Sequence, residues 1–540
     1  MKRISILALA AVSAFAQEGP QTGVQVRSIE NFQLAPRIGV SGETHLTLED
    51  VLNRVLENDP DIRIARISRE ESGYQIRAAE GAYDPVIGLQ AFHTREVSPV
   101  ASILGGTPSG KLTQTELSVS PTFSGITQWG GSYSFKFANS RQASDSQFLT
   151  LNPQYPTTAT LNVTQPLLRG LRFDPNRYRL EVARKNAQMS TEQLRQHLIE
   201  RLTAAITAYW DLSYAFQNVQ VQLEAVRLAQ QQFDSNRRQA EQGVLAPVDV
   251  VAAQTQVATF EESAITAQQT LTAAENNLKT IMLANREDPG WETAVIPDTE
   301  VDVRPMIVPL RDAINQALAS RPELSESLIA IALNQLDVRV NKDQTKPQVD
   351  AFANLTASGL SGIAAPVIPN PLSNLFPSLN TQVPGLFLGN YGQSLSTLFG
   401  GNFPTVQAGI QISLPLHNRT AQAQLAVSQA EGRKLKVTRD QISMAIEADV
   451  RNSLQAVNSA DARLRAAALA RESAEEQYAS EQRQFQAGAS TVFLVLQRQT
   501  DLISARSREV RAKADLGQAK AGLDRATANT FEAHGIRSAL

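Results

Sequence analysis

The sequence contains no cysteine, and that absence closes several routes at once. Disulfides, thiolate metal sites, a cysteine nucleophile and a lipid-bearing N-terminal cysteine are all excluded. Histidine is nearly as scarce: His45, His93, His197, His417 and His534 stand apart from one another and from any acidic cluster with ligand spacing. No Gly-rich phosphate loop, GxSxG elbow or HExxH motif occurs. Carboxylates are plentiful, but they lie among Arg, Gln and Lys on helical stretches, where a solvated face is the ordinary outcome. The chain is therefore not expected to be an enzyme, and no cofactor or metal is implied. An exported hydrolase would need a clustered catalytic set that the sequence lacks.

Long apolar runs are missing too. The opening "MKRISILALAAVSAFAQEGP" carries two charges, an apolar stretch from Ile4 to Val12 and Ala14-Phe15-Ala16 before Gln17, the three parts of a cleaved secretory signal over 1–16. Beyond it no run of 18 apolar residues exists, so no transmembrane helix is expected. A strong excess of either charge sign is missing as well. The formal net charge is -3, and losing Lys2 and Arg3 takes it to -5, too mild an excess to steer the chain towards nucleic acid. An exported protein of this kind is either soluble or spans a bilayer as a β-barrel.

What the sequence does have is a duplication. "LTLEDVLNRVLENDPDIRI" from Leu46 aligns without gaps with "VPLRDAINQALASRPELSE" from Val308, placing Leu48 on Leu310, Asp50 on Asp312 and Pro60 on Pro322. The same offset carries Pro85 onto Pro347. Later, Gln165-Pro166-Leu167 matches Leu414-Pro415-Leu416, and "AQQQFDSNRRQAEQG" ending at Gly243 matches "AEEQYASEQRQFQAG" ending at Gly488. After an extension over 17–45, the expected layout is a first repeat at 46–285, a linker at 286–307, a second repeat at 308–530 and a tail at 531–540.

Each copy presents the same signals in the same order. Thr47 and Asp50 are spaced as a capping pair for a helix to about Glu57, and Pro60 ends it and starts another running to about Gly81. Alternation replaces helical periodicity after Pro85: Ala159, Leu161 and Val163 alternate with Thr160, Asn162 and Thr164, and Val406, Ala408, Ile410 and Ile412 with Gln407, Gly409 and Gln411. Val349–Leu355 does the same, and 86–94 is a weaker fourth strand. Prolines 85, 166, 347 and 415 fall at strand ends, where a missing ladder donor is tolerated. From Pro175 to about Gln242 runs a helical stretch that would be about 100 Å long. Its apolar positions Leu198, Leu202, Ala205, Tyr209, Leu212, Phe216, Val219, Leu223, Val226, Gln230 and Phe233 step by four and three, the rhythm of a coiled coil. A return helix repeats it through Val257, Phe260, Ala264 and Leu271, and the second copy packs on Ala505, Ala512, Ala519 and Ala526.

Four strands per chain with an apolar face would leave open edges, which cannot sit in lipid, so a membrane role requires several chains to pool strands in one closed barrel. Alternation by itself fits a soluble sheet equally well. Two loops join the strands at the end away from the helices. One, 95–156, contains the hairpin-like pair "TELSVSPTF" and "GGSYSFKFA"; the other lies in a stretch without charge or histidine from Ala351 to Leu416, read either as a surface loop or as a plug over a pore mouth.

The paired openings, the strand-to-helix passages "TLNVTQPLLRG" and "GIQISLPLHNR", and the tips "GVLAPVDVVAAQTQV" and "GASTVFLVLQRQTDL" together resemble the TolC-like outer-membrane efflux protein family, over roughly 46–530. The resemblance implies a mainly α fold with a membrane β-barrel: a homotrimer whose protomers each give four strands to a 12-stranded barrel in the outer-membrane lipid, and long coiled-coil hairpins to a periplasmic α-barrel. It implies an exit duct of a tripartite efflux or type I secretion system, docked at its helical tips by a periplasmic adaptor and through it by an inner-membrane transporter. The tip motif falls on Gly243, Pro247, Asp249 and Val250, and on Gly488, Thr491, Val492 and Val495. Where the family places acidic rings at the closed mouth, this chain has Leu494 and Gln497, so an apolar constriction at Leu494, with Gln497 and Asp249 beside it, is expected instead. The 95–156 hairpin departs from the simplest family pattern and is expected to extend above the membrane rather than widen the barrel. The competing reading is a periplasmic coiled-coil adaptor or scaffold without a pore.

Overall fold

The computed structural model describes residues 32–101, 109–146, 148–304, 308–366 and 383–536. The expected signal at 1–16 and part of the uncharged stretch, 367–382, lie outside them. The described chain opens with β1 (Gly42–Leu46) and α1 (Leu48–Asn58). Thr47 and Asp50 form the reciprocal cap: the Asp50 amide donates to Thr47 Oγ1 at 3.2 Å and the Thr47 amide to Asp50 Oδ2 at 3.0 Å, which satisfies donors that a helix start leaves unpaired. Pro60 opens α2 (Pro60–Glu80), where its missing N–H is not needed. Then come β2 (Val86–Pro99), β3 (Lys111–Ile126), β4 (Ser132–Ser144) and β5 (Leu151–Pro166). The 67-residue α3 (Pro175–Glu241) turns into α4 (Pro247–Met282), and β6 (Thr293–Pro297) follows.

The second copy repeats the order with α5 (Leu310–Ser320), α6 (Pro322–Gln344), β7 (Gln348–Ala364), a short α7 (Tyr391–Phe399) and β8 (Pro404–Ser413). The 68-residue α8 (Arg419–Gln486) and α9 (Val492–Ala526) close it, with α10 (Thr530–Ala533) behind. No described helix is long and apolar enough to cross a membrane.

The chain divides into two compact units. One comprises the chain to Pro60, Ile199–Gln316 and the chain from Asp449. Its core runs along α3 through Leu202, Ala205, Tyr209 and Leu212, none of them measurably exposed, and along α9 through Leu502, Ala505, Leu516, Leu523 and Ala526. The seam drifts as α3 proceeds. Leu223 is exposed and Gln230 half-buried, while Ala225, Val226, Ala229 and Phe233 are buried against Val257 and Phe260 of α4 and Ile503 of α9. One helix facing two neighbours buries a wider stripe than a two-stranded seam. β1 and β6 pair in parallel beside it, and the Tyr209 hydroxyl ties them to α3 by accepting from the Thr299 amide at 2.9 Å and donating to the Leu46 carbonyl at 3.2 Å.

The other unit holds a six-stranded antiparallel sheet in the order β2-β3-β4-β5-β7-β8. This corrects the expected four strands. β3 and β4, the segments expected to stand above the membrane, are instead full-length members paired between β2 and β5. The physical reason is their register: their alternation is in phase with their neighbours, so the hairpin extends the two-faced surface. Pro85 and Pro347 lie just before β2 and β7, Pro166 ends β5, and Pro415 follows β8.

Candidate functional site

The two hairpin tips are built alike. At the first, Gly243 has φ +73°, its amide donates to the Ala240 carbonyl at 3.0 Å, and the Val244 amide donates to Gln239 at 2.9 Å. At the second, Gly488 has φ +75°, its amide donates to Phe485 at 3.0 Å, and the Ala489 amide donates to Gln484 at 2.9 Å. This paired pattern is the Schellman ending, whose left-handed residue glycine adopts without a Cβ clash. The chain then re-enters helix by different means. Pro247 takes the first position of α4 with Asp249 in its first turn, whereas α9 is capped by Thr491, whose Oγ1 accepts from the Leu494 amide at 3.4 Å.

The residues named from the tip motif sort into two groups. Val250, Val492 and Val495 are buried: Val250 sits in the cluster with Phe233 and Phe260, and Val495 packs with Tyr478, Leu502 and Phe485. They fix the shape of the tips rather than forming their surface. Gly243, Pro247, Gly488, Thr491, Leu494 and Gln497 are exposed, and Asp249 is half-buried. Beside them stand apolar side chains that the sequence reading passed over: Val244, Val248 and Phe493 are 69–73 % exposed, against 37 % for Leu494. A large apolar group in the first turn of each return helix was the signal available.

A second feature missed from sequence is the N-terminal segment. Phe32 and Leu34 pack on the α3–α4 cluster, the Gln268 side chain donates to the Ala35 carbonyl at 2.7 Å, and Arg37 pairs with Glu275 at 2.5 Å. Glu275 also pairs with Lys279 at 2.7 Å; both are buried, and Lys279 Nζ donates to the Trp291 carbonyl at 3.1 Å. A buried acid meeting two cations and a buried ammonium meeting a carbonyl are mutually satisfied. Close by in chain order, Asp59 is wholly buried and accepts from Arg201 at 2.7 and 3.0 Å.

At the strand-to-helix passage two of the arginines that follow Pro166 are tied down. Arg169 donates to Gln348 at 2.5 Å, and Arg177 pairs with Asp174 and donates to the Leu171 and Arg172 carbonyls at 2.7 and 2.9 Å. Asp343 accepts from the Gly170 amide at 2.5 Å and pairs with Lys346. Burial and a hydrogen bond to Asp337 push the Tyr178 hydroxyl up to about 12, so it stays a donor.

The sheet has two chemically opposite faces. One register row runs Ile87, Phe123, Phe135, Leu161, Leu355, Val406 across all six strands; the next runs Gly88, Thr122, Lys136, Thr160, Thr356, Thr405. Every side chain of the first row is at least partly exposed, from 38 % at Leu161 to 80 % at Ile87. An apolar surface of this extent facing outwards suits hydrocarbon rather than water. Among the described residues no group of His, Asp or Glu is arranged to hold a metal.

The profile of the outer membrane efflux protein family matches residues 51–282 and 313–529. Among solved structures the chain is similar to the outer-membrane channel OprN (14 % identity, 89 % of this chain and 90 % of that one, TM-score 0.62). It is also similar to the Campylobacter jejuni CmeC outer membrane channel (14 %, 90 % and 86 %, 0.60) and to the open state of the Neisseria gonorrhoeae MtrE outer membrane channel (15 %, 90 % and 89 %, 0.58). No curated protein matches it significantly. The two matched segments cover most of both repeats, and the fold combines long helical hairpins with a sheet whose apolar face is turned outwards. The chain belongs to the outer membrane efflux protein family and is an outer-membrane efflux channel with a large periplasmic helical portion.

Proposed function

We propose that the channel works as a homotrimeric, passive exit duct, docked at its helical tips by a periplasmic adaptor and opened through it by an inner-membrane transporter. The observation that carries this reading is the exposed apolar surface on rigidly capped tips: Val244 and Val248 in one hairpin, Phe493 and Leu494 in the other. Exposed apolar groups next to polar helix surface are what a coiled-coil partner buries. Gly243, Pro247, Gly488 and Thr491 set the turn geometry, while Val250, Val492 and Val495 hold the tips from within. A pore-less adaptor has no use for an outward apolar face six strands wide.

In this reading Leu494, with Gln497 and Asp249 beside it, narrows the periplasmic mouth by an apolar ring rather than an acidic one. Leu494→Ser should raise the closed-state conductance of the purified channel in planar bilayers several-fold, because a hydroxyl removes the dewetted constriction. Unchanged conductance, with the oligomer intact, contradicts a seal at Leu494.

A further inference from the structure

The two outer strands of the sheet differ from the four inside it. Nearly every residue of β2 and β8 is exposed, whereas β3, β4, β5 and β7 are mostly half-buried. Two open edges beside an apolar face cannot remain unpaired in lipid, because their N–H and C=O groups find no partner there. Each pair in the sheet is antiparallel and the strand number is even, so β2 and β8 run in opposite directions. The β8 edge of one copy therefore presents itself antiparallel to the β2 edge of the next, a head-to-tail contact that closes into a ring.

The β3–β4 hairpin belongs to the wall of that ring. It runs the full height of the sheet, from Lys111 at the loop end to the turn between Ile126 and Ser132 at the helix end. That turn is short, as turns on the periplasmic side of barrels are; the Gln165 side chain donates to the Trp129 carbonyl at 3.1 Å, and the Trp129 ring is exposed, as suits a residue at the membrane–water boundary. Towards the helix end the hairpin's outward side chains, Val119, Phe123 and Phe135, continue the apolar face, which turns polar at Asn139 and Arg141 nearer the loop end, and its inward ones, Ser118, Ser120, Thr122 and Ser134, continue the polar face. A hairpin standing in water above the membrane has no reason to carry that pattern.

We infer that three copies close an 18-stranded barrel through β8–β2 pairing, with the β3–β4 hairpins embedded in the lipid-facing wall. The inference rests on the trimer of the proposed function. Barrel diameter grows roughly in proportion to strand number, so the outer-membrane section is about half again as wide as a 12-stranded one. Its bore is a water-filled passage rather than a close fit around one small solute, which admits bulkier cargo through the membrane section.

Electron cryo-microscopy of the purified full-length oligomer in lipid nanodiscs tests it. Eighteen strands around a three-fold axis, with β8 beside a neighbour's β2, is the expected map; a trimer with a narrower wall and the β3–β4 hairpins outside it overturns the inference. A ring of another copy number, still joined β8 to β2, would overturn the trimer and the strand total while leaving the edge pairing intact. The absence of native cysteine supplies a second arm. Ile410→Cys combined in turn with Ile87→Cys, Leu89→Cys or Ala91→Cys should give an oxidation-dependent covalent ladder ending at three chains for at least one pair, and no ladder for any pair counts against the closure.

Discussion

Asp524 is a buried carboxyl whose charge is costly to keep. It lies near the end of α9, and burial lifts its carboxyl from 3.8 to about 6, with Asn529 and Lys520 offsetting only part of the loss of water. Because the folded value is the higher one, the stability this group contributes is present below pH 3.8 and is lost as the pH rises through about 6. Asp524→Asn should therefore raise the melting temperature at pH 7 and leave it nearly unchanged near pH 4; equal shifts at both pH values would contradict the assignment. Asp59 is completely buried against Arg201, so Asp59→Ala removes the carboxylate that accepts from that guanidinium and should destabilise by about 1–3 kcal/mol, read by thermal or denaturant unfolding. The Thr47–Asp50 cap could be read from spacing alone because both partners lie within one turn. Asp59–Arg201 and the Arg37–Glu275–Lys279 group could not, since nothing local in the sequence says which distant helix will face them.

At the scale of elements, α1, α2 and α3 were legible to within a residue or two, because Pro60, Pro175 and Gly243 punctuate long periodic stretches, whereas α7 was not, since it lies in the uncharged stretch read as a surface loop or a plug. The seam was less so: periodicity placed Leu223 and Gln230 inside, but α3 meets both α4 and α9 there, and a stripe drawn for one partner misses the second. The strands show the same limit more sharply. Alternation revealed which residues share a face, yet whether "TELSVSPTF" and "GGSYSFKFA" join the sheet depends on pairing, and pairing is settled between strands. The tips illustrate what the duplication could and could not reveal. It matched Gly243 to Gly488, and both take the same left-handed ending; replacing either with alanine should cost about 1–2 kcal/mol through the strained φ. Gly243→Ala and Gly488→Ala channels should remain folded by circular dichroism but protect cells less in an efflux-dependent susceptibility assay. Full protection by both variants would argue that the turn geometry is not read by a partner. The exposed groups beside them, Val244, Val248 and Phe493, went unread because an apolar residue at a helix start looks the same whether it faces a core or a partner.

The whole molecule joins two chemistries in one chain: a sheet whose outward face is apolar across six strands, and helical hairpins ending in capped apolar tips. In the proposed function the first faces the lipid of the outer membrane and the second is periplasmic, so the two parts answer to different solvents. Single-cysteine labelling reads this directly, since the native sequence has no cysteine to interfere. Ser109→Cys is exposed just before β3 at the sheet end away from the long helices, and Val244→Cys lies on the first tip. With a membrane-impermeant maleimide, Ser109→Cys should be labelled on intact cells, while Val244→Cys should be labelled only after the outer membrane is permeabilised. Labelling of both positions in intact cells, or of neither until permeabilisation, would contradict a channel that spans the outer membrane with its helical tips in the periplasm.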